Sequence, residues 1–475
     1  MDRQRRNHAH QIGRAHQPST ILLAGCLMVA LVAVSCSDSG GSDSGASGST
    51  TTAVEPVAPT TLATVPSSDR VDLETPTFSD PTMVDNPLFP ISNQHSAVYL
   101  GNDEGDPLKV EVTLLPETKV IEVDGETTEV LVSQFVSFVG GRVSEVTLDW
   151  YAQDDTGAVW FFGEDVTRYE DGVLLDHEGS WLAGEDGPPA MIMPADPHLG
   201  DVFRSENIPD FIVEEVVVQN LGVTVPGPRG PVDGAMVGQE LHILEGLAEN
   251  KTFAPGYGEF TSGIGSNVET MALCLPIDAA SGPVPAELSA LSNGAVDILD
   301  AAETEDWDGV TAKLEAMNAE WAAYEARGGV PPLLAIQMNG ALDAVAGDPL
   351  SPALGEHNVE GVREAAVRVA QASLDIQLRY RSSAEIDLAR FGLWARQLVV
   401  DSSSDEPDPG HIAGDVTTLE LVWDRIAHTL DDATVSDIEA QLADLRIAAD
   451  TEDTGVAADA APRLVETVSG ANPPA

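Results

Sequence analysis

Polar and apolar positions change rhythm once along this chain. Between residues 79 and 280 apolar residues recur at every second position in short runs, such as Lys109–Leu115 (KVEVTLL). A period of two sends alternate side chains to opposite faces of a strand. The runs are separated by turn signals. Asp124-Gly125 lies between TKVIEV and TEVLVSQFVSFV, Asp155-Thr156-Gly157 lies between RVSEVTLDWYAQ and AVWFFGEDVTRYE, and Asp171-Gly172 follows. Neighbouring strands joined by tight turns predict an antiparallel meander that curls into a sandwich or a partly open barrel.

After Ser281–Pro285 (SGPVP) the apolar steps lengthen to three and four. Trp307, Val310, Leu314, Met317, Trp321 and Tyr324 form one helical stripe, ended by Gly328-Gly329. Pro331-Pro332 opens the next helix, and Ser382 with Glu385 makes a capping box. Val416, Leu419, Trp423, Ile426 and Leu430 form a second stripe. At an offset of 102 residues Val310 meets Ile412, Leu314 meets Val416, Trp321 meets Trp423 and Leu291 meets Leu393. The fold class expected is therefore α+β in two domains. An antiparallel β domain spans 79–280, and an all-α bundle spans 284–470, built as two four-helix repeats.

The N-terminus reads as an address. Arg3, Arg5, Arg6 and Arg14 precede an apolar run that ends at Cys36. The run is too short for a comfortable membrane span and has the form of a signal peptide, residues 1–35. Leu23-Ala24-Gly25-Cys26 is an alternative lipid box, but only Ile21–Gly25 precede it as apolar segment. Lipidation is expected at Cys36, followed by a Ser/Gly/Thr-rich tether over 36–78. The partner this implies is the membrane, reached through the lipid, on the extracytoplasmic side. Cys274 would then be the one cysteine left in the folded body; its apolar setting (MALCLP) predicts a buried, inert thiol.

The formal net charge of −55 excludes nucleic acid as a partner and disfavours contact with anionic headgroups. The acids are spread along the body, and no cluster stands out in the linear order. Solvation of an exported protein is the reading preferred over a binder of cations. Only 4 of the 23 Lys+Arg are lysines, as in proteins of GC-rich bacteria.

Several residues suggest chemistry without committing to it. Glu164, Asp165, Asp176 and Glu178 are of the type a glycosidase pair needs. Met191 and Met193 with His198 suggest soft-metal ligands, although alternate methionines on a strand more often pack in a core. Trp150, Trp160, Phe162 and Trp181 read as core rather than as a sugar platform. Arg379, Arg381, Asp387 and Arg390 suggest ion pairs locking helix to helix, or an anion site. No nucleophile elbow, phosphate loop, dinucleotide fingerprint or zincin motif occurs. No catalytic residue, metal ligand or cofactor is assigned.

Trp150-Tyr151-Ala152-Gln153-Asp154, Val159–Asp165 (VWFFGED), Glu178-Gly179-Ser180-Trp181, Met193-Pro194-Ala195 and Gly200-Asp201 occur in that order. Glu249-Asn250-Lys251 and Phe253–Gly258 (FAPGYG) follow. This succession resembles uncharacterised secreted bacterial proteins of the actinobacterial type, often lipoproteins. The resemblance covers about residues 79–275. It implies an exported β domain and transfers no catalytic residue.

Three functions are compatible with this reading. The first is a lipid-anchored envelope protein with a non-catalytic binding or scaffolding role. The second is an extracytoplasmic binder of a small molecule, lipid or metal. The third is a carboxylate-dependent hydrolase.

Overall fold

The computed structural model describes residues 62–347, 354–355 and 357–471. Cys36 and the signal segment lie outside them. Strands β1 (Ser96–Asp103), β2 (Asp106–Val123), β3 (Glu126–Val139), β4 (Arg142–Gln153), β5 (Val159–Glu170) and β6 (Val173–Asp176) follow one another as hairpins. The two short segments β7 (Trp181–Leu182) and β8 (Ala190–Met193) come next. They are followed by β9 (Val202–Ile208), β10 (Ile212–Gly227), β11 (Gly230–His242), β12 (Leu247–Ala254), β13 (Gly258–Ile264) and β14 (Asn267–Leu275). All belong to one antiparallel sheet in the order β6-β5-β4-β3-β2-β1-β14-β13-β12-β11-β10-β9, with β7 and β8 paired to β5. The turn pairs Asp124-Gly125 and Asp171-Gly172 have positive φ at both positions, the geometry that matches the twist of a hairpin.

The two ends of this meander come together. Trp181 Nε1, paired beside β5, donates to Glu206 Oε1 on β9 at 2.7 Å. One apolar core joins Trp150, Trp160, Phe162 and Trp181 to Phe203, Val216, Met236 and Phe253 from the far end of the sheet. The sheet is thus a partly open barrel, and β8 packs beside β9 at the seam. The runs around Lys109–Leu115 and Thr118–Val123 are one strand, β2, with its register shifted between Leu114 and Thr118. Pro116, which has no N–H for the ladder, lies in that gap.

The segment entering the barrel runs along this seam. Leu62 N–H donates to the Ile243 carbonyl and Val71 N–H to that of Val202 (both 2.9 Å), while Val65 N–H donates to Glu215 Oε1 at 2.8 Å. Phe78 then packs edge-on against Phe162 at 5.5 Å.

Among the described residues eight helices follow: α1 (Ala286–Glu303), α2 (Trp307–Glu325), α3 (Pro332–Ala346), α4 (Val359–Gln377), α5 (Ser383–Ser402), α6 (Pro409–Ile426), α7 (Asp432–Asp450) and α8 (Thr454–Gly470). Side-chain oxygens of Asp306, Asn358, Ser382, Asp408, Asp431 and Asp453 cap the helices that follow them. They form two four-helix units of the same order. In each, the first helix packs on the second and fourth, and the third on the fourth. The residues matched at the 102-residue offset are buried in both units.

The bundle lies against the outside of the barrel. Val98, Ala272, Leu273 and Leu275 join the core of the first unit, and Val136, Phe138, Val143 and Val146 that of the second. Phe138 stacks on Trp394 at 5.5 Å. Buried charges cross the same boundary. Glu111 on β2 accepts from Arg425 (2.7 Å) and stands 3.4 Å from Arg390, which also reaches Asp375 (2.7 Å) and Asp387 (2.9 Å). Asp387 and Arg390 pair within α5; Arg390 to Asp375 on α4 and Arg425 on α6 to Asp387 tie helix to helix as expected, and both arginines tie helix to sheet through Glu111. Arg142 on β4 is held by Asp401, Asp415 and Glu364.

Candidate functional site

The inner wall of the barrel carries an unusual set of side chains. Strand alternation brings Glu145 and Asp149 inward on β4, Glu164 and Arg168 on β5, and Glu214 on β10. Glu240 and His242 on β11, Glu249 and Lys251 on β12, and Glu259 on β13 join them, with Ser205 and Glu206 on β9. They line a cavity of about 160 Å³, together with the rings of Phe89, Tyr151 and Phe161. That is room for roughly ten waters, or for a small ion with part of its hydration shell.

Register makes the arrangement costly. Three pairs of acids face each other directly across neighbouring strands: Asp149 and Glu164, Glu206 and Glu214, Glu240 and Glu249. Like charges directly opposed destabilise a sheet. Two of these pairs have cationic neighbours. Lys251 Nζ is 2.7 Å from Glu240 and 3.7 Å from Glu249, while His242 is 2.7 Å from Glu214 and 3.5 Å from Glu249. Ser205 Oγ donates to Glu240 Oε1 at 2.6 Å. On the β5 side the compensation is protonic. Glu164 and Glu206 meet side chain to side chain, and among the described residues no Lys, Arg or His stands at ion-pair distance from either, nor from Asp149.

Proton affinities follow from this geometry. Burial, with Glu145 and Glu259 nearby, pushes Asp149 up to about 8. Burial and then Glu206 and Asp149 raise Glu164 well above the carboxylate range; burial and Glu214 do the same for Glu206. Burial, only partly offset by Lys251, pushes Glu240 up to about 7. Burial would lower His242, but its bonds to Glu214 and Glu249 outweigh that and lift it to about 10. Burial works against ionisation of Glu249, yet Lys251 and His242 hold it at about 2. His242 therefore stands as an imidazolium at neutral pH. One donor atom each from Glu240, His242 and Glu249 lies within 4.8 Å of the others, the spacing of a metal triad. The raised proton affinity of His242 favours its role as a counter-ion there over that of a ligand.

No family model matches this chain, and no curated protein matches it. Its chemistry is therefore read from the side chains alone.

Of the acids singled out by sequence, Glu164 and Glu178 both line the chamber, Asp165 is exposed, and Asp176 and Glu178 are bound by Arg168. They do not form one pair. Met191 and Met193 are buried in the barrel core, whereas the His198 side chain is 73% exposed beside Asp196 and Asp201. Trp150, Trp160, Phe162 and Trp181 are all buried. Cys274 is buried, and burial raises its thiol far above the usual range. Asp149, Glu206, Glu240, His242 and Lys251 escaped sequence reasoning. Their trace was the alternation of charged residues in GQELH and AENK, on strands otherwise rich in apolar residues.

Proposed function

We propose that this chain is an exported protein of the bacterial cell envelope, lipid-anchored at Cys36, that binds a small cation inside its barrel without catalysis. The N-terminal pattern supports the address. The three opposed acid pairs on the wall of one cavity carry the binding function. An acidic chamber that holds protons where it lacks cations exchanges them for a cation of suitable size. Its donors are oxygens, which favour a hard ion such as Ca²⁺ or Mn²⁺ over soft metals. The cation sits on the side of Asp149, Glu164 and Glu206, because Lys251 and His242 already neutralise the opposite wall.

The Glu164–Glu206 contact itself is too close to be a glycosidase pair. Glycosidase carboxyls stand about 5–9.5 Å apart to admit the sugar or a water.

Calorimetric titration of the metal-free protein with CaCl₂, MnCl₂ and putrescine tests the binding. At least one should bind with proton release, and Glu164→Gln or Glu206→Gln should weaken it by roughly tenfold or more. Absence of heat with all three, at neutral and mildly alkaline pH, would refute the cation reading. Intact mass tests the address: a diacylglycerol-sized increment should vanish in Cys36→Ser.

A further inference from the structure

The bundle carries a second hollow, an open groove, away from the barrel chamber. It lies where α1 and α4 of the first four-helix unit meet α5 and α8 of the second, and its volume is about 390 Å³. That falls within the range of small-molecule sites, about 300–1,000 Å³. Its floor is apolar, formed by Val296, Leu374, Leu393 and Val468. The space exists because Ala370, Ala389 and Gly392 put little or no side chain where the units join; a Cβ on Gly392 would stand 3.4 Å from Val468 Cγ1.

The charged lining is Arg381, Glu385 and Arg396. Glu385 serves the cap of α5, accepting from the Ser382 N–H, and stands 3.7 Å from Arg381 Nε. Arg396 is half-buried, and no carboxylate or hydrogen-bond acceptor engages it among the described residues. The buried Arg363, Arg390 and Arg425 each reach a carboxylate. A guanidinium that water reaches and no carboxylate engages, beside an apolar floor, is placed to take the anionic head of a ligand.

We propose that this interhelical groove binds a single-chain amphiphile with an anionic head. The hydrocarbon chain covers the apolar floor, and the head, a carboxylate or a phosphate, lies between Arg396 and Arg381. A free inorganic anion would leave the floor uncovered, and a neutral lipid would leave Arg396 unpaired. The site is independent of the barrel chamber and of the cation proposed there.

Displacement of the fluorescent fatty acid cis-parinaric acid from the full chain tests the assignment. Oleate, oleoyl-lysophosphatidic acid and oleyl alcohol are compared below their micellar concentrations. Oleate or the lysophosphatidic acid should displace the probe at least roughly tenfold better than the alcohol, and their order tells carboxylate from phosphate. Arg396→Gln should weaken the anions by roughly tenfold and leave the alcohol unchanged, with melting temperature preserved. Gly392→Leu should fill the groove and remove probe binding; if that variant fails to fold, Arg396→Gln decides alone. Asp149→Asn, in the barrel, should leave amphiphile binding intact. Failure of the probe to bind, equal affinity for oleate and oleyl alcohol, or an unchanged Arg396→Gln variant would overturn the proposal.

Discussion

Asp149 and His242 show how a single side chain ties the chamber to pH. Asp149 is lifted from 3.8 to about 8. Between those values the unfolded chain has lost a proton that the folded chain keeps, so stability falls as pH rises from about 4 to about 8. Glu240, raised to about 7, acts in the same direction. His242, raised from 6.5 to about 10, contributes stability that is complete below 6.5 and lost as pH rises through 10. Glu249, lowered from 4.5 to about 2, contributes stability lost as pH falls through 2. The melting temperature of the metal-free protein should therefore peak at mildly acid pH and decline toward pH 10. Scanning calorimetry from pH 3 to 10 reads this directly, and Asp149→Asn should flatten the decline between about 4 and 8. A profile already flat in the wild type would contradict the burial of these acids. Saturation with the bound cation should raise the alkaline limb most, because the ion replaces the protons lost there.

Among the elements, strands and helices differ in what their sequence discloses. Turn dipeptides and the three-four stripes marked most hairpins and helices, because both signals are local. Ser382 and Glu385 form the capping box their spacing implies. The 102-residue repeat was visible because Trp321 and Trp423 recur in phase, and both are buried. Replacing either by Ala should cost about 3–5 kcal/mol in urea denaturation. A large inequality between the two would mean that the repeats carry unequal loads. The acid chamber was illegible for the opposite reason. Glu240 faces Glu249 only after β11 and β12 take their register, and Glu206 meets Glu164 only after the meander curls. In linear order these acids lie among many solvated ones. The charges between sheet and helix follow the same rule, since Glu111 and Arg425 are 314 residues apart. Arg390→Ala should cost about 3–5 kcal/mol, because it removes the cation shared by buried Glu111, Asp375 and Asp387 and leaves Lys109 and Arg425 to balance all three. Replacing the set jointly by apolar residues of like volume should recover much of that loss, and a multiple variant in the same denaturation assay checks it.

At the scale of the molecule the barrel and the bundle are two folds with one shared boundary. Strand β3 lies on it. TEVLVSQFVSFV carries Ser133, Gln134 and Ser137 among its apolar residues, and all three are buried, because β3 is covered on both faces. Which helical face covers it does not follow from the run. Residues 62–280 expressed alone should expose Val136, Phe138, Val143 and Val146, bind a hydrophobic dye and self-associate. The intact chain should instead melt in one main calorimetric transition; two well-separated ones would mean that the boundary contributes little.

The route of residues 62–71 along the barrel seam has a mechanical consequence. If the chain hangs from a surface by its N-terminus, tension enters the fold there. It would be borne in shear by the Leu62 and Val71 backbone bonds to Ile243 and Val202. The helices, which pack on β2, β4, β6 and β14, make neither of these bonds. A pull strong enough to peel that strip would open the wall beside Glu206, so that load on the tether becomes access to the chamber.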